Sequence, residues 1–292
     1  MDRIRKALDL AREERDRLAT LSDPQPLLMD VKTIDTKTVD VKAVDTKTVD
    51  VKPINRLPDT IHYTKTRVFS AVPALLESHR IVGAGSADPA ASAFRMLRTQ
   101  VLQRMEEHGW RSLAMFSPGR DAGKTTTAIN LAVSLANDHS HTVLLVDFDL
   151  KRPTIAEKLG IAPEMGSDDV LRGAARIEDC LYHPEGFDRL VVLPARAPME
   201  YSSEALAGPR CRDLVTELRS RYPDRIVLFD LPPILGADDA LAFAPLVECG
   251  LLVVSEGSTR RDDVLRSMEL LRRTPVVGTV LNRATDVVSA YG

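Results

Sequence analysis

From about residue 86 onward, short apolar runs alternate with longer stretches of helical period. The runs are SLAMF, TVLLVD, RLVVLP, RIVLFD, GLLVVS and VVGTVLN. Residues 143–146 and 226–229 are apolar throughout, as expected of strands covered on both faces rather than one. Ahead of the first run, Phe94, Leu97, Val101, Leu102 and Met105 recur at helical spacing behind Asp88-Pro89, a capping residue followed by a favourable first-turn residue. The stretches TTTAINLAVSLAN and Arg261 to Arg273 read as further helices. This alternation predicts an α/β domain, a doubly wound and mostly parallel sheet, over residues 86–292.

The first 85 residues have a different pattern. Ile4, Leu8, Ala11 and Leu18 lie near helical spacing among dense charges, which predicts a short amphipathic helix over residues 1–21 ahead of Asp23-Pro24. From Asp30 the chain repeats with period five, DVKTI, DTKTV, DVKAV, DTKTV, DVKPI. An odd period reverses the strand face at each repeat, and five residues advance a helix by roughly 500°. Neither structure gathers the Val and Ile positions on one side, so residues 22–85 read as a charge-balanced, flexible low-complexity linker.

Composition narrows the function. The net charge of −3 argues against nucleic acid as the partner. Three cysteines stand far apart without a CxxC pair, and six histidines show no ligand spacing. No apolar run approaches the roughly 20 residues of a membrane span, and the charged amino terminus is unlike a signal peptide. The expectation is a cytoplasmic protein that reaches a membrane only through a partner.

The strongest chemical signal is SPGRDAGKTTT. A buried strand precedes it and an apolar helix follows, so backbone N–H groups of Gly119, Arg120, Asp121, Ala122, Gly123 and Thr126 can converge on phosphate oxygens at a helix N-terminus. Lys124 would contact the β- and γ-phosphates from a solvent-filled site, and the Thr125 hydroxyl would ligate Mg²⁺. Pro118 stands where the strict phosphate-loop pattern has glycine. Two further strand ends carry carboxylates, Asp147 and Asp149 in LLVDFDLKRP and Asp230 in VLFDLPP. The carboxyl ends of parallel strands border the crevice where such sheets bind ligands. The expected cofactors are ATP and Mg²⁺.

The three segments SPGRDAGKTTTAINLA, VLLVDFDLKRP and IVLFDLPPILGADDA resemble, in order, the Walker A, Walker A′ and Walker B elements of the bacterial tyrosine kinases of polysaccharide export. AFRMLRTQVL, SDDVLRG, SSEALAGPR and VVGTVLNRA extend the resemblance to residues 91–283. It implies a protein-tyrosine autokinase with Asp147 as acceptor of the tyrosine proton and Lys124 as phosphate ligand. Thr125, Asp149 and Asp230 would serve the metal, and Asn282 would meet the adenine. It also implies homo-oligomers and a membrane polysaccharide co-polymerase whose cytosolic segment activates the kinase. Ser92 replaces the glutamate of the family's self-association motif, Lys151 an arginine, and Leu231 a threonine. Where the family ends in a tyrosine cluster, this chain has Tyr291, the expected phosphoacceptor, with Tyr63 in the linker as its competitor. Tyr182, Tyr201 and Tyr222 are expected to be restricted by the folded domain. The competing readings are a spatial-organiser ATPase, disfavoured by Gly119 at the place of that group's signature lysine, and a nucleotide-sensing adaptor without transfer chemistry.

Overall fold

The computed structural model describes residues 66–83, 88–222 and 224–284. The expected helix 1–21, the repeats and Tyr291 lie outside them. Eight strands form one sheet: β1 (Arg67–Phe69), β2 (Ser112–Phe116), β3 (Thr142–Asp147), β4 (Tyr182–Pro184), β5 (Leu190–Leu193), β6 (Arg225–Asp230), β7 (Cys249–Ser255) and β8 (Val276–Asn282). Their order is β1-β4-β5-β3-β6-β2-β7-β8, and β4 with β5 is the one antiparallel pair.

Among the described residues nine α-helices flank the sheet: α1 (Pro73–Ser78), α2 (Pro89–His108), α3 (Lys124–Ala136), α4 (Ile155–Leu159), α5 (Ser167–Arg172), α6 (Ser202–Ala207), α7 (Pro209–Ser220), α8 (Asp239–Phe243) and α9 (Arg261–Leu270). The central strands are buried on both faces, which is why they show no polar alternation. Leu113, Met115, Val143, Leu145, Ile226 and Leu228 face one core, against Val101 and Met105 of α2 and Ile129 and Leu135 of α3. Ala114, Phe116, Leu144, Val146, Val227 and Phe229 face the other, against Leu214 and Leu218 of α7 and Phe243 of α8. Phe148, Phe229 and Phe243 meet there with ring centroids 4.8 to 5.4 Å apart. Truncating such a ring costs about 3–5 kcal/mol, so this cluster anchors the strand ends that carry the carboxylates.

Helix α2 begins as its sequence signals require. The Asp88 carboxylate accepts from the Ala90 N–H at 2.8 Å, Pro89 occupies the first turn, and Gly109 ends the helix at φ 68°.

The stretch read as linker up to residue 85 is structured in its last part. β1 pairs with β4, Leu76 and Ile81 are buried, and Asn130 of α3 holds the strap after α1. Its amide donates to the Arg80 carbonyl at 2.9 Å and its oxygen accepts from the Val82 N–H at 2.7 Å. Three residues of strand and six of helix are too short to show a period. Among the described residues no helix is long and apolar enough to cross a membrane.

Candidate nucleotide site

β2 delivers the chain into the loop 117–123, and α3 leaves it at Lys124. Asp121 and Gly123 both adopt left-handed backbone, at φ 59° and 82°. Glycine suits the second position doubly, since a Cβ there would lie 2.1 Å from the Asn282 amide nitrogen. That amide donates to the Ala122 carbonyl at 2.8 Å, and the Ile234 N–H donates to the Ser117 carbonyl at 2.9 Å. β8 and the segment after β6 thus hold the loop from two sides. Among the described residues none of the backbone N–H groups of residues 119–123 donates to a backbone carbonyl. A loop of unpaired donors running into the N-terminus of a helix fits a phosphate chain.

The loop borders an open cavity of about 320 Å³, lined also by Asp149, Lys151, Arg152, Lys158, Pro232, Pro233 and Arg283. Six of its lining residues are cationic, Arg120, Lys124, Lys151, Arg152, Lys158 and Arg283. At its floor, Lys124 Nζ lies 2.5 Å from Asp230 Oδ1, and the Thr125 hydroxyl donates to Asp230 Oδ2 at 2.6 Å. Lys124 is 6% exposed, so its ammonium is buried against a carboxylate rather than extended into solvent as the sequence reading expected. Lys124, Thr125 and Asp230 come from two motifs 105 residues apart, and the β2–β6 register brings them together by aligning Met115 with Asp230.

The two Walker A′ carboxylates separate. Asp147, directly opposite Asp230 in the β3–β6 register, is fully buried and does not line the cavity. Its oxygens accept from the N–H groups of Asp149, Thr154 and Ile155, each at 3.1 Å, so it caps α4 and shapes the intervening loop. The expected proton acceptor is therefore not presented to an incoming hydroxyl in this conformation. Burial, reinforced by the Asp230 charge, holds its pKa well above the usual carboxylate value. Asp149 does line the cavity, and burial raises its pKa too, against the opposing effect of Lys124.

Asn282, expected at the adenine, supports the phosphate loop through Ala122 and is absent from the cavity lining. Lys151 pairs with buried Asp239 at 2.8 Å and reaches Asp238 at 3.8 Å, closing one side of the cavity. Hydrogen bonding to Asp239 raises the pKa of its ammonium. Sequence reading missed Asp239, Lys158 and Arg283. The ADDA segment at residues 237–240 was the available signal for the first and VVGTVLNRA for Arg283, whereas Lys158 lies in no motif.

Among the described residues no group of three or more His, Cys, Asp or Glu side chains forms a metal cluster. Thr125, Asp149 and Asp230 are instead a sparse set of hard oxygen donors. That suits an ion such as Mg²⁺, which keeps several waters and takes few protein ligands beside substrate phosphates.

Three comparisons place this site among known proteins. The family described as the AAA domain matches residues 117–251. The tyrosine-protein kinase YwqD of Bacillus subtilis is 28% identical over 202 residues, covering 68% of this chain and 84% of its own. The succinoglycan biosynthesis transport protein ExoP of Rhizobium meliloti is 31% identical over 219 residues, 71% of this chain, but the match spans only 26% of ExoP. In structure, the VpsO kinase domain superposes with a TM-score of 0.60 at 30% identity, covering 67% of this chain and 95% of that domain. The candidate phosphate loop, its paired lysine and the strand-end carboxylates lie within the residues 117–251 that the family model matches, and the chain belongs to the bacterial tyrosine kinases of polysaccharide export, a branch of the P-loop Min and partition ATPases.

Proposed function

We propose that the chain uses Mg·ATP to phosphorylate protein tyrosines and thereby regulates the assembly or export of an exopolysaccharide or capsule. The observation that carries this reading is the convergence of Lys124, Thr125 and Asp230 beneath a loop of unpaired N–H donors. Bound Mg·ATP would supply the transferable phosphoryl group and a divalent charge. On binding, Lys124 would exchange its Asp230 partner for phosphate oxygens, freeing Asp230 and the Thr125 hydroxyl to act as metal ligands, directly or through water. Arg120 and the N–H groups from Gly119 to Thr126 would hold the phosphates.

We assign acceptance of the tyrosine proton to Asp149, because it borders the cavity and Asp147 does not. A loose phosphoryl-transfer transition state asks mainly for positioning and charge stabilisation, which a fixed loop supplies. Asp147 then acts beneath it by fixing the 149–155 loop. The acceptor in the tail would be Tyr291.

We further propose that the protein works at the inner face of the membrane. It would be recruited and activated there by the cytosolic segment of a polysaccharide co-polymerase, and would form homo-oligomers. Incubation of purified protein with Mg·ATP and a synthetic Glu/Tyr copolymer tests the transfer reaction. Phosphotyrosine should form with the natural chain and not with Lys124→Met. Equal product from both chains would remove the site from the reaction.

A further inference from the structure

The tyrosines of the folded domain differ sharply in their surroundings. Tyr182 is 4% exposed, with its hydroxyl accepting from the Glu164 N–H at 3.0 Å. Tyr222 lies ahead of β6, at the end of the sheet opposite Asp230, and the Arg225 guanidinium covers its ring at 4.0 Å. Tyr201 is 67% exposed, and no hydrogen bond or ring contact of its side chain occurs among the described residues. The expectation that all three are restricted therefore holds by burial only for Tyr182: Tyr222 is 47% exposed beneath Arg225, and Tyr201, the more exposed, lies beyond the carboxyl end of β5 at the start of α6.

That position is on the nucleotide-bearing end of the sheet. The Met199 N–H donates to the carbonyl of Leu150, the residue between Asp149 and Lys151, at 2.8 Å. The Ser203 hydroxyl donates to Asp238 at 2.8 Å. Asp238 and Asp239 in turn hold Lys151, which lines the cavity, and no residue from 199 to 204 does so. Tyr201 thus stands outside its own cavity, behind the Lys151 wall, and is exposed to a second molecule. Glu200 and Glu204 flank it, and the cavity mouth carries Arg120, Arg152, Lys158 and Arg283, none of which forms an ion pair among the described residues. An acidic acceptor on one copy and a cationic mouth on another are complementary.

We propose that Tyr201 is a phosphoacceptor modified in the nucleotide cavity of a second copy of this chain, an inference that rests on the kinase reading. The Tyr201 Oη would form a bond to the γ-phosphorus of ATP, the bond from that phosphorus to the β,γ-bridging oxygen would break, ADP would leave with the electron pair, and the phenolic proton would pass to Asp149 of the second copy. The phosphorylated side chain, carrying about −1.5 to −2 charges, would then stand beside Glu200, Glu204 and Asp238, next to the ion pair that closes the site.

The test mixes a Tyr201→Phe chain as donor with an isotopically labelled Lys124→Met chain as acceptor, in Mg·ATP and with a Glu/Tyr copolymer present. Lys124→Arg, which keeps a cation opposite Asp230, serves as a second acceptor chain should the first fold poorly. Peptide mass spectrometry should find phosphate on Tyr201 of the labelled chain, at a rate per chain that falls on dilution. Phosphorylated copolymer with unmodified Tyr201 would overturn the proposal and leave the kinase reading standing. Modification of Tyr201 in the natural chain alone, at a rate per chain independent of dilution, would overturn transfer between copies. No phosphate on either acceptor would overturn the kinase reading and this proposal together.

Discussion

Replacing Lys124 by Met should destabilise the fold as well as remove phosphate contact. In the nucleotide-free structure Lys124 and Asp230 are 6% and 1% exposed and 2.5 Å apart, so removing the ammonium leaves a carboxylate buried with only the Thr125 hydroxyl to answer it. Breaking a buried pair from one side costs about 3–5 kcal/mol, and the adjoining open cavity, which lets water reach the stranded carboxylate, places this case near the lower end. Asp230→Asn strands Lys124 in the same way. The double variant buries neither charge, so it should be less destabilised than the sum of the singles by about 2 kcal/mol. Urea unfolding of all four proteins without nucleotide measures this directly. If Lys124→Met unfolds within about 0.5 kcal/mol of the natural protein, or if the single effects simply add, the pair does not stabilise the empty site.

Asp147→Ala should leave three N–H groups without their acceptor, lower stability by about 2 kcal/mol and weaken nucleotide binding together with transfer. Fluorescent-nucleotide titration checks this, and lost transfer at unchanged affinity would return the proton-acceptor role to Asp147. The Arg196 guanidinium, by hydrogen bonds of 2.8 and 2.9 Å, holds the Asp169 carboxyl below its usual pKa. That pair therefore stabilises the fold above about pH 4, and its contribution is lost as pH falls through the depressed folded value. Arg196→Gln should be less stable at neutral pH and lose less on acidification, and urea unfolding at a series of pH values would refute this if the acid slope were unchanged. At Gly166 an added Cβ would lie 2.5 Å from the Arg196 nitrogen and 2.6 Å from the Pro194 carbonyl, whereas at Gly257, φ 71°, it would meet nothing within 4 Å. Gly166→Ala should cost about 2–3 kcal/mol and Gly257→Ala about 1, and thermal unfolding in the reverse order would contradict the contact.

The sheet was legible because strands buried on both faces leave uninterrupted apolar runs, and residues 143–146 and 226–229 are such runs. β1 and α1 were not, since their positions depend on pairing with β4 and on Asn130, more than a hundred and about fifty residues away. In the site, Lys124, Thr125 and Asp230 were readable from motif and strand end. Spacing could not tell that Asp147 turns beneath the loop while Asp149 faces the cavity, because both follow the same strand two residues apart. That difference is set by which backbone N–H groups lie within reach. The exposure of Tyr201 was equally hidden, since a tyrosine ahead of a helix is as readily buried as open.

Whether this site transfers phosphate to tyrosine or only hydrolyses nucleotide is decided by the ratio of phosphotyrosine formed to ADP released, measured in one reaction of purified chain with Mg·ATP, a tyrosine-containing acceptor and any activating cytosolic segment. Phosphotyrosine should account for nearly all the ADP, and both should vanish with Lys124→Met. Steady ADP release without phosphotyrosine would contradict the kinase reading and make the chain an ATPase.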